Sequence, residues 1–469
     1  MLWSFFAEKR KKESLSADFN GYCQKLHPSG PLPEGGAKGG CPRPLWQNIT
    51  DSPGDHVSHF MSKLTDERIF YALFSVFVFN MPFSEALKEI FLVLSFLLVL
   101  IHLRDRAYEP APRLLILGFP VLVFALSSLL SALHSINTHQ ALRGFWGDLE
   151  TLMSWVVFAG AFLLFPDRSR TLRFFLVALA GGLAAGAAVG LYKMVALADP
   201  NMEMMNLGDK NSSAQFISTS FLLFLAAWTL PKLSGLTWRF FLPILLLLAG
   251  SLLLCHSRAF LISLPVASAA LLLIGRHWKI LGGLLAAMAS GAGIMYFLSP
   301  HLRWEMASVV APTKDGSFIS RYDTWAGALR IFHDHPLLGV GPDTFQMANI
   351  HKLYHLPDYA THGHNIFFNL LAEYGLLGVL SFALILFAWS GRILRDKDPS
   401  ETMRLLKGLT VGFLLNLLLA GLAHPMWGGS FSLLFMFIMA YVLVTEERLG
   451  PGQGHRSVLH SVPVFGRHR

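Results

Sequence analysis

Charged residues and cysteines are scarce in this chain. Only 14% of its 469 residues are charged, whereas charged residues make up about a quarter of an ordinary globular domain. The three cysteines, Cys23, Cys41 and Cys255, are widely separated. A disulfide-rich secreted domain is therefore excluded, and no redox role is indicated. The high hydrophobic content, 53% of the residues, is that of a membrane protein.

Long apolar segments follow one another from about residue 68, separated by short polar breaks. A helix needs about 20 apolar residues to cross the hydrocarbon core of a bilayer, which is roughly 30 Å thick. The sequence predicts spans near residues 68–82, 86–103, 113–132, 149–165, 172–196, 213–230, 239–256, 259–275, 279–298, 366–390, 405–423 and 428–445. The expected fold is an all-α polytopic membrane protein with about twelve transmembrane helices. Spans 1–9 fall within residues 66–298 and spans 10–12 within residues 366–446.

The basic residues predict how these spans are oriented. With a cytoplasmic amino terminus, most lysines and arginines of the short loops lie inside, as Arg104 and Arg395 do, and few lie outside, as Arg143 does. This is the positive-inside pattern of membrane proteins. The net charge of +8 is therefore assigned to cytoplasmic loops rather than to nucleic-acid binding. Both termini are predicted to be cytoplasmic tails, residues 1–65 and 447–469.

One predicted outer connection, residues 299–365, is far longer than the others. Long loops in compact proteins are usually either functional or disordered. This one contains "SRYDTWAGALRIFHDHPLLGVGPDTF", which predicts a helix after Ser320 that ends before Pro336. It also contains seven of the nineteen histidines: His301, His333, His335, His351, His355, His362 and His364. Chemistry is expected in this loop, where Gly339 and Gly341 are expected to allow close backbone approach.

His364, followed by Asn365 at the start of the tenth predicted span, is the first candidate for catalysis. A neutral imidazole can take a proton from an attacking hydroxyl near pH 7. His362, one glycine away, is the alternative base. As another interpretation, both histidines cap the next helix. The spacing of His351 and His355 leaves a metal site open, although neither an HExxH-type helix nor an acidic cluster accompanies them.

Arg258 and Arg321 are candidates for phosphate binding. Arg258 separates two apolar segments, where a charge is costly unless it faces a polar cavity or a partner. Guanidinium groups bind phosphate oxygens bidentately and keep their charge. The alternatives are snorkelling to the interface for Arg258 and a solvated loop position for Arg321. Asp209, Lys210 and Asn211 belong to an outer polar segment and are candidates for lining the same cavity. As an alternative, Asn211 and Ser212 cap the next helix.

Three separated segments together resemble the O-antigen ligase and polymerase superfamily. In chain order they are "SRAF", "SRYDTWAGALRIFHDHPLLGVGPDTF" and "HGHNIFFNLLAEYGLLGVLSF". The resemblance covers residues 200–445 by motif. It implies a GT-C-like membrane fold with a large periplasmic loop, residues 299–365, between spans 9 and 10. It also implies an inverting, metal-independent glycosyltransferase without a cofactor.

The resemblance assigns roles to particular residues. His364 is expected to be the catalytic histidine, and Arg258 and Arg321 are expected to hold the diphosphate of an undecaprenyl-diphosphate-linked glycan. A ligase would transfer this glycan to the lipid A core oligosaccharide at the periplasmic face of the bacterial inner membrane. A polymerase would instead extend a second lipid-linked glycan, and a protein O-oligosaccharyltransferase would modify a secreted protein. A lipid-linked glycan transporter is disfavoured because the spans show no repeat and almost no charge.

Overall fold

The computed structural model of the protein describes residues 53–105, 110–165, 167–198, 201–204, 207, 209–298, 303, 316–349, 354–356 and 360–449. Contacts divide the chain into two units, Met1–Ser62 and Lys63–Arg469. The first unit is described only from Pro53, and apart from the start of the first helix the features below lie in the second. Most of the predicted tails, residues 1–65 and 447–469, lies outside the described residues, so their placement stays a prediction.

All regular structure in the described ranges is helical, which confirms the all-α class. The helices are α1 (Pro53–Asn80), α2 (Glu85–Asp105), α3 (Pro110–Leu133), α4 (Thr138–Leu164), α5 (Arg168–Ala196), α6 (Lys210–Thr229), α7 (Pro231–Ser234), α8 (Trp238–Leu254), α9 (Arg258–Gly275), α10 (Trp278–Leu298), α11 (Gly316–Asp334), α12 (Ile366–Arg395), α13 (Glu401–Gly421) and α14 (Gly429–Leu449). A short 3₁₀ helix, Phe345–Asn349, lies between α11 and α12. The helix predicted after Ser320 is α11, which begins four residues earlier.

Several of these helices are long and apolar enough to cross a membrane. There are seven of them among the described residues: Glu85–Arg104, Thr138–Leu164, Arg168–Ala196, Arg258–Gly275, Ile366–Arg395, Glu401–Gly421 and Gly429–Glu446. Two shorter apolar helices, Gly118–Leu133 and Trp238–Leu254, accompany them. A helix also covers each of the twelve predicted segments. The chain is thus a polytopic membrane protein, while twelve crossings and their orientation stay predictions.

Aromatic side chains fill the interface between α4, α5 and α14. Phe158 packs edge-on against Phe437, with ring centroids 5.3 Å apart, and against Phe175 at 5.8 Å. All three residues are fully buried. Other helix faces expose large apolar side chains, such as Val195 at 78% and Phe387 at 75%. Such faces suit contact with lipid tails, which are as apolar as the side chains themselves.

Helix α12 is broken at Gly375, whose φ of 63° and ψ of −161° are not helical. The segment after α11 inserts into this break. Four backbone hydrogen bonds join them: Val340 N–H to Ala372 O, Gly341 N–H to Glu373 O, Leu376 N–H to Pro336 O and Leu377 N–H to Leu337 O. These bonds satisfy backbone groups that the break would otherwise leave unpaired inside the protein.

Glycine is required where this inserted segment meets the broken helix. A Cβ at Gly339 would lie 2.4 Å from the backbone of Glu373, and one at Gly341 would lie 2.2 Å from Oγ of Ser135. Both glycines have positive φ values, 66° and 114°. The prediction of close backbone approach is therefore confirmed for Gly339, whereas the close neighbour of Gly341 is a side chain.

Four ionisable side chains are buried within α2, α4 and α12. They are Lys88, Asp148, Glu150 and Glu373. Each has a partner on another part of the chain. Nζ of Lys88 lies 3.1 Å from Oε2 of Glu150, and Asp148 accepts hydrogen bonds from Ser128, Tyr374 and Trp427. A buried charge with such partners escapes much of the desolvation cost.

We expect Lys88→Met to destabilise the protein by about 3–5 kcal/mol, because it removes the cation beside the buried Glu150 carboxylate. The double variant Lys88→Met with Glu150→Leu should recover most of this loss, since neither buried charge of the pair then remains. Thermal unfolding in detergent micelles measures both effects. A single variant as stable as the wild type would contradict the importance of the pair.

Candidate active site

The starts of α6 and α9 are joined by a side-chain hydrogen bond. Asp209 caps α6, and its Oδ1 accepts the amides of Asn211 and Ser212 at 2.6 and 3.2 Å. The cap is thus Asp209, not Asn211 or Ser212. Ser257 precedes α9 and donates from Oγ to Oδ1 of Asn211 at 2.8 Å. Arg258, the first residue of α9, therefore lies next to a residue bonded to the start of α6.

Asn365 connects the start of α12 to the end of α13. Its Oδ1 accepts the amides of Phe367 and Phe368 at 2.9 and 3.3 Å. Its Nδ2 donates to the carbonyl oxygen of Leu422 at 3.1 Å. The cap of α12 is therefore this asparagine, and the interpretation that the two preceding histidines cap the helix was wrong.

Three imidazole rings meet beside these helix ends. The ring centroids of His362 and His364 are 4.2 Å apart, and those of His362 and His424 are 5.8 Å apart. His424 lies between α13 and α14 and is 4% exposed. Its ring centroid is 6.3 Å from that of Phe260, in the first turn of α9. The cluster thus combines the loop before α12 with the turn before α14.

His424 is a site residue that the sequence prediction missed. It stands in "AHPMWGG", a short turn between the last two predicted spans. A lone histidine in a turn carries little signal, since histidines are often structural. The sequence offered few hints of a site residue here: His424 stands outside the histidine-rich loop and is followed by a proline.

Arg321 and Asp209 interact electrostatically with all three imidazoles. Burial lowers the pKa of His362, His364 and His424, each to about 4. The Arg321 cation lowers these pKa values further, whereas the Asp209 carboxylate raises them. The three imidazoles are therefore neutral at physiological pH and each has one ring nitrogen that can accept a proton.

His362 and His364 differ in their hydrogen bonds. The amide of His364 donates to Nδ1 of His362 at 3.3 Å. This ring nitrogen of His362 is therefore already engaged in a backbone hydrogen bond of the loop. Nδ1 of His364 is buried and has no hydrogen-bond partner in the described part of the chain. His364 also has a φ of 47°, in the left-handed region that non-glycine residues seldom adopt. Local strain and unsatisfied buried polar atoms are both features of functional sites.

The remaining predicted residues are distributed as follows. Lys210 is the first residue of α6, directly after the cap. His333 is exposed and pairs with Asp334, with Nδ1 and Oδ1 3.2 Å apart. His355 is also exposed, and His351 lies outside the described residues. The proposed metal pair therefore has no described geometry.

One group of possible metal ligands does occur in the described ranges, but away from the histidines. It consists of Glu85, Glu89 and Glu150, whose ligand atoms lie within 4.8 Å of one another. Nζ of Lys88 occupies this place by contacting both Glu85 and Glu150. The group is therefore explained by an internal ion pair.

Residues 243–383 match the family model described as O-Antigen ligase. This confirms the resemblance to the O-antigen ligase and polymerase superfamily, whose members are membrane glycosyltransferase-like enzymes. The domain runs from α8 into α12 and includes Arg258, Arg321 and His364, whereas Asp209 and His424 lie outside it. No match was found among curated proteins.

Proposed function

We propose that this protein transfers a glycan from undecaprenyl diphosphate to an acceptor hydroxyl at the periplasmic face of the bacterial inner membrane. The observation that supports this most is the cluster of three neutral imidazoles beside the starts of α6 and α12, whose pKa values the Arg321 cation also lowers. A guanidinium suits a diphosphate, and a neutral imidazole suits proton transfer from a hydroxyl. The O-antigen ligase domain favours the lipid A core oligosaccharide as the acceptor.

In the proposed reaction, His364 accepts the proton of the acceptor hydroxyl. The acceptor oxygen then bonds to the anomeric carbon of the donor sugar, while the bond from this carbon to the diphosphate oxygen breaks. The electron pair of that bond leaves with the diphosphate, and the configuration inverts. His364 is favoured over His362 because its buried Nδ1 has no partner among the described residues, whereas Nδ1 of His362 holds the loop.

Arg258 and Arg321 are assigned to the diphosphate. Stabilising the charge that grows on a leaving group is commonly the largest catalytic contribution. The start of α9, which has no side-chain cap, adds partial positive charge from its first amides. Lys210 adds a cation at the start of α6, and Asn211 and Asn365 line the same corner. The reaction needs no covalent enzyme intermediate, because a diphosphate is a good leaving group.

His424 is assigned to the sugar hydroxyls beside the reacting carbon. Its Nδ1 is buried and has no hydrogen-bond partner in the described ranges, and Asp209 lies near enough to raise its pKa. A substrate hydroxyl that donates to this nitrogen would satisfy it. His424 thus complements His364 within one neutral cluster.

The same site would serve a polymerase or a protein O-oligosaccharyltransferase, because these enzymes differ from a ligase in the acceptor. The deciding experiment offers purified protein an undecaprenyl-diphosphate glycan with three separate acceptors: lipid A core, a second lipid-linked glycan and an unfolded secreted protein. Transfer to lipid A core alone would support the ligase. Transfer to either other acceptor would assign the alternative. Uptake of the lipid-linked glycan into vesicles without transfer would indicate a transporter and overturn the proposal.

The pH dependence of the reaction should reveal the buried histidine. In the free enzyme, His364 has a pKa of about 4, and only its neutral form can accept a proton. We therefore expect kcat/KM to stay level as the pH falls from neutral and to decrease as the pH approaches about 4. The diphosphate of a bound donor adds negative charge and raises this pKa, so kcat should begin to decrease at a higher pH than kcat/KM.

Initial rates measured across this range at varied donor concentration would separate the two profiles. Intrinsic tryptophan fluorescence at each pH serves as the control for unfolding. A kcat/KM profile that falls with an unperturbed pKa of about 6.5 would contradict the burial of the base.

A further inference from the structure

Glu373 connects two segments that meet at the break in α12. It lies two residues before Gly375 and is 6% exposed. Its Oε1 accepts the amide of Phe345 at 3.3 Å, and its Oε2 accepts Nδ2 of Asn369 at 2.9 Å. The carboxylate thus holds the segment after α11 and the first half of α12 together. It has no role in the reaction proposed above.

Asn369 extends this connection to the histidines. Its Oδ1 accepts the amide of Gly363 at 2.9 Å, and Gly363 stands between His362 and His364. Oδ1 and Nδ2 belong to one planar amide, so the carboxylate that binds Nδ2 also determines which atom faces Gly363. A Cβ at Gly363 would lie 2.9 Å from the backbone nitrogen of Asn369, so the loop lies closely against the first turn of the helix.

We propose that Glu373 is a positioning residue for His364 and acts through Asn369 and Gly363. This inference rests on the function proposed above. His364 has a strained backbone, with a φ of 47°, and strain of this kind persists only where the surroundings hold it. Hydrogen bonds from the amides of Gly363 and His364 provide that support. The first of them depends on the orientation that Glu373 gives to Asn369.

A carboxylate is needed here because both of its neighbours are donors. The Phe345 amide and the Asn369 Nδ2 group each require an acceptor, and a carboxylate supplies one on each side. A glutamine would have the same size but would turn its own NH₂ group towards one of these donors. The Asn369 amide would then rotate or separate, and the bond to Gly363 would weaken.

The first test is the kinetics of Glu373→Gln. We expect kcat to fall about tenfold, in line with one disrupted buried hydrogen-bond partner, while the KM for the lipid-linked donor changes by less than about twofold. The matched control is Ser381→Ala. Ser381 is also buried in α12, and its hydroxyl bonds to Ser127 and to the Gly378 carbonyl, away from the histidines. Equal losses in both variants would overturn the proposal.

The second test exchanges the two groups. In the double variant Glu373→Gln with Asn369→Asp, the introduced amide donates to the introduced carboxylate. Its oxygen still accepts the Phe345 amide, and the carboxylate still accepts the Gly363 amide. We expect this variant to recover most of the kcat that Glu373→Gln loses. Recovery would not occur if the glutamate acted only through its charge or through its bulk.

A readout independent of transfer separates this proposal from the proposed function. Diethyl pyrocarbonate modifies neutral histidines, and mass spectrometry measures the rate at each one. We expect Glu373→Gln to raise the modification rate of His364 about tenfold, for a comparable loss of loop order, and Ser381→Ala to leave it unchanged. An unchanged rate in Glu373→Gln would overturn the positioning role. If wild-type protein transfers glycan to no acceptor, the activity proposal fails and the modification rates still decide this one.

Discussion

Replacing His364 by alanine is expected to lower the rate of glycan transfer by at least about 100-fold, the usual effect of losing a positioned general base. The KM for the donor should change little, because the diphosphate is held by arginines. Rates with purified protein at saturating donor and varied acceptor would measure this. Imidazole added to the medium should restore part of the activity, since the deletion leaves space for it.

The matched control for this variant is His333→Ala. His333 belongs to the same histidine-rich region but is exposed and pairs only with its neighbour Asp334 in the described contacts. His333→Ala should keep the transfer rate within about twofold of the wild-type rate, as expected for a surface substitution. Full activity of His364→Ala would show that the loop has been misassigned and that His362 or His424 must be tested as the base.

Replacing Arg321 by alanine is expected to lower the rate by about 10²–10³-fold, the range observed for removal of a group that stabilises a developing anion. The Arg321 cation lowers the pKa of all three imidazoles, and we propose that it also stabilises the departing diphosphate. Arg321→Lys should recover only part of the activity, because an ammonium keeps the charge and loses the bidentate geometry.

Arg330→Ala is the control for Arg321, since both arginines lie on α11. Arg330 is exposed and donates to the carbonyl oxygen of Tyr354 at 3.2 Å, away from the histidines. Single-turnover measurements with the lipid-linked donor would show whether the loss lies in the chemical step. A loss of equal size in Arg330→Ala would mean that α11 as a whole, rather than one cation, is required.

Local patterns predicted much of the fold. Each of the twelve apolar segments lies on a helix, because a long apolar run has few other ways to satisfy its backbone in a membrane. The glycines at 339 and 341 were predicted to allow close approach, and the backbone of Glu373 beside Gly339 confirms it for the first of them. The contact between the rings of His362 and His364 agrees with their places two residues apart in one loop.

Other features depended on residues far apart in sequence. The buried charges of Lys88 and Glu150 lie on α2 and α4 and neutralise each other only once those helices pack. The break in α12 is invisible in its apolar pattern, since Gly375 reads as one of many small residues in a span. The inserted segment that satisfies the break comes from residues 336–341. The local sequence of α12 does not predict the inserted segment, and the sequence of the inserted segment does not predict the break.

The sequence alone determined that the chain is a helical membrane protein and where its polar, histidine-bearing loop lies, because hydrophobicity and helix capping act over a few neighbouring residues. The tertiary structure decided which polar groups share a site. It brought Asp209 and His424 to the histidine loop and placed Glu373 behind it. These meetings depend on how long helices pack against one another, and a packing contact leaves little trace in the local sequence of either partner.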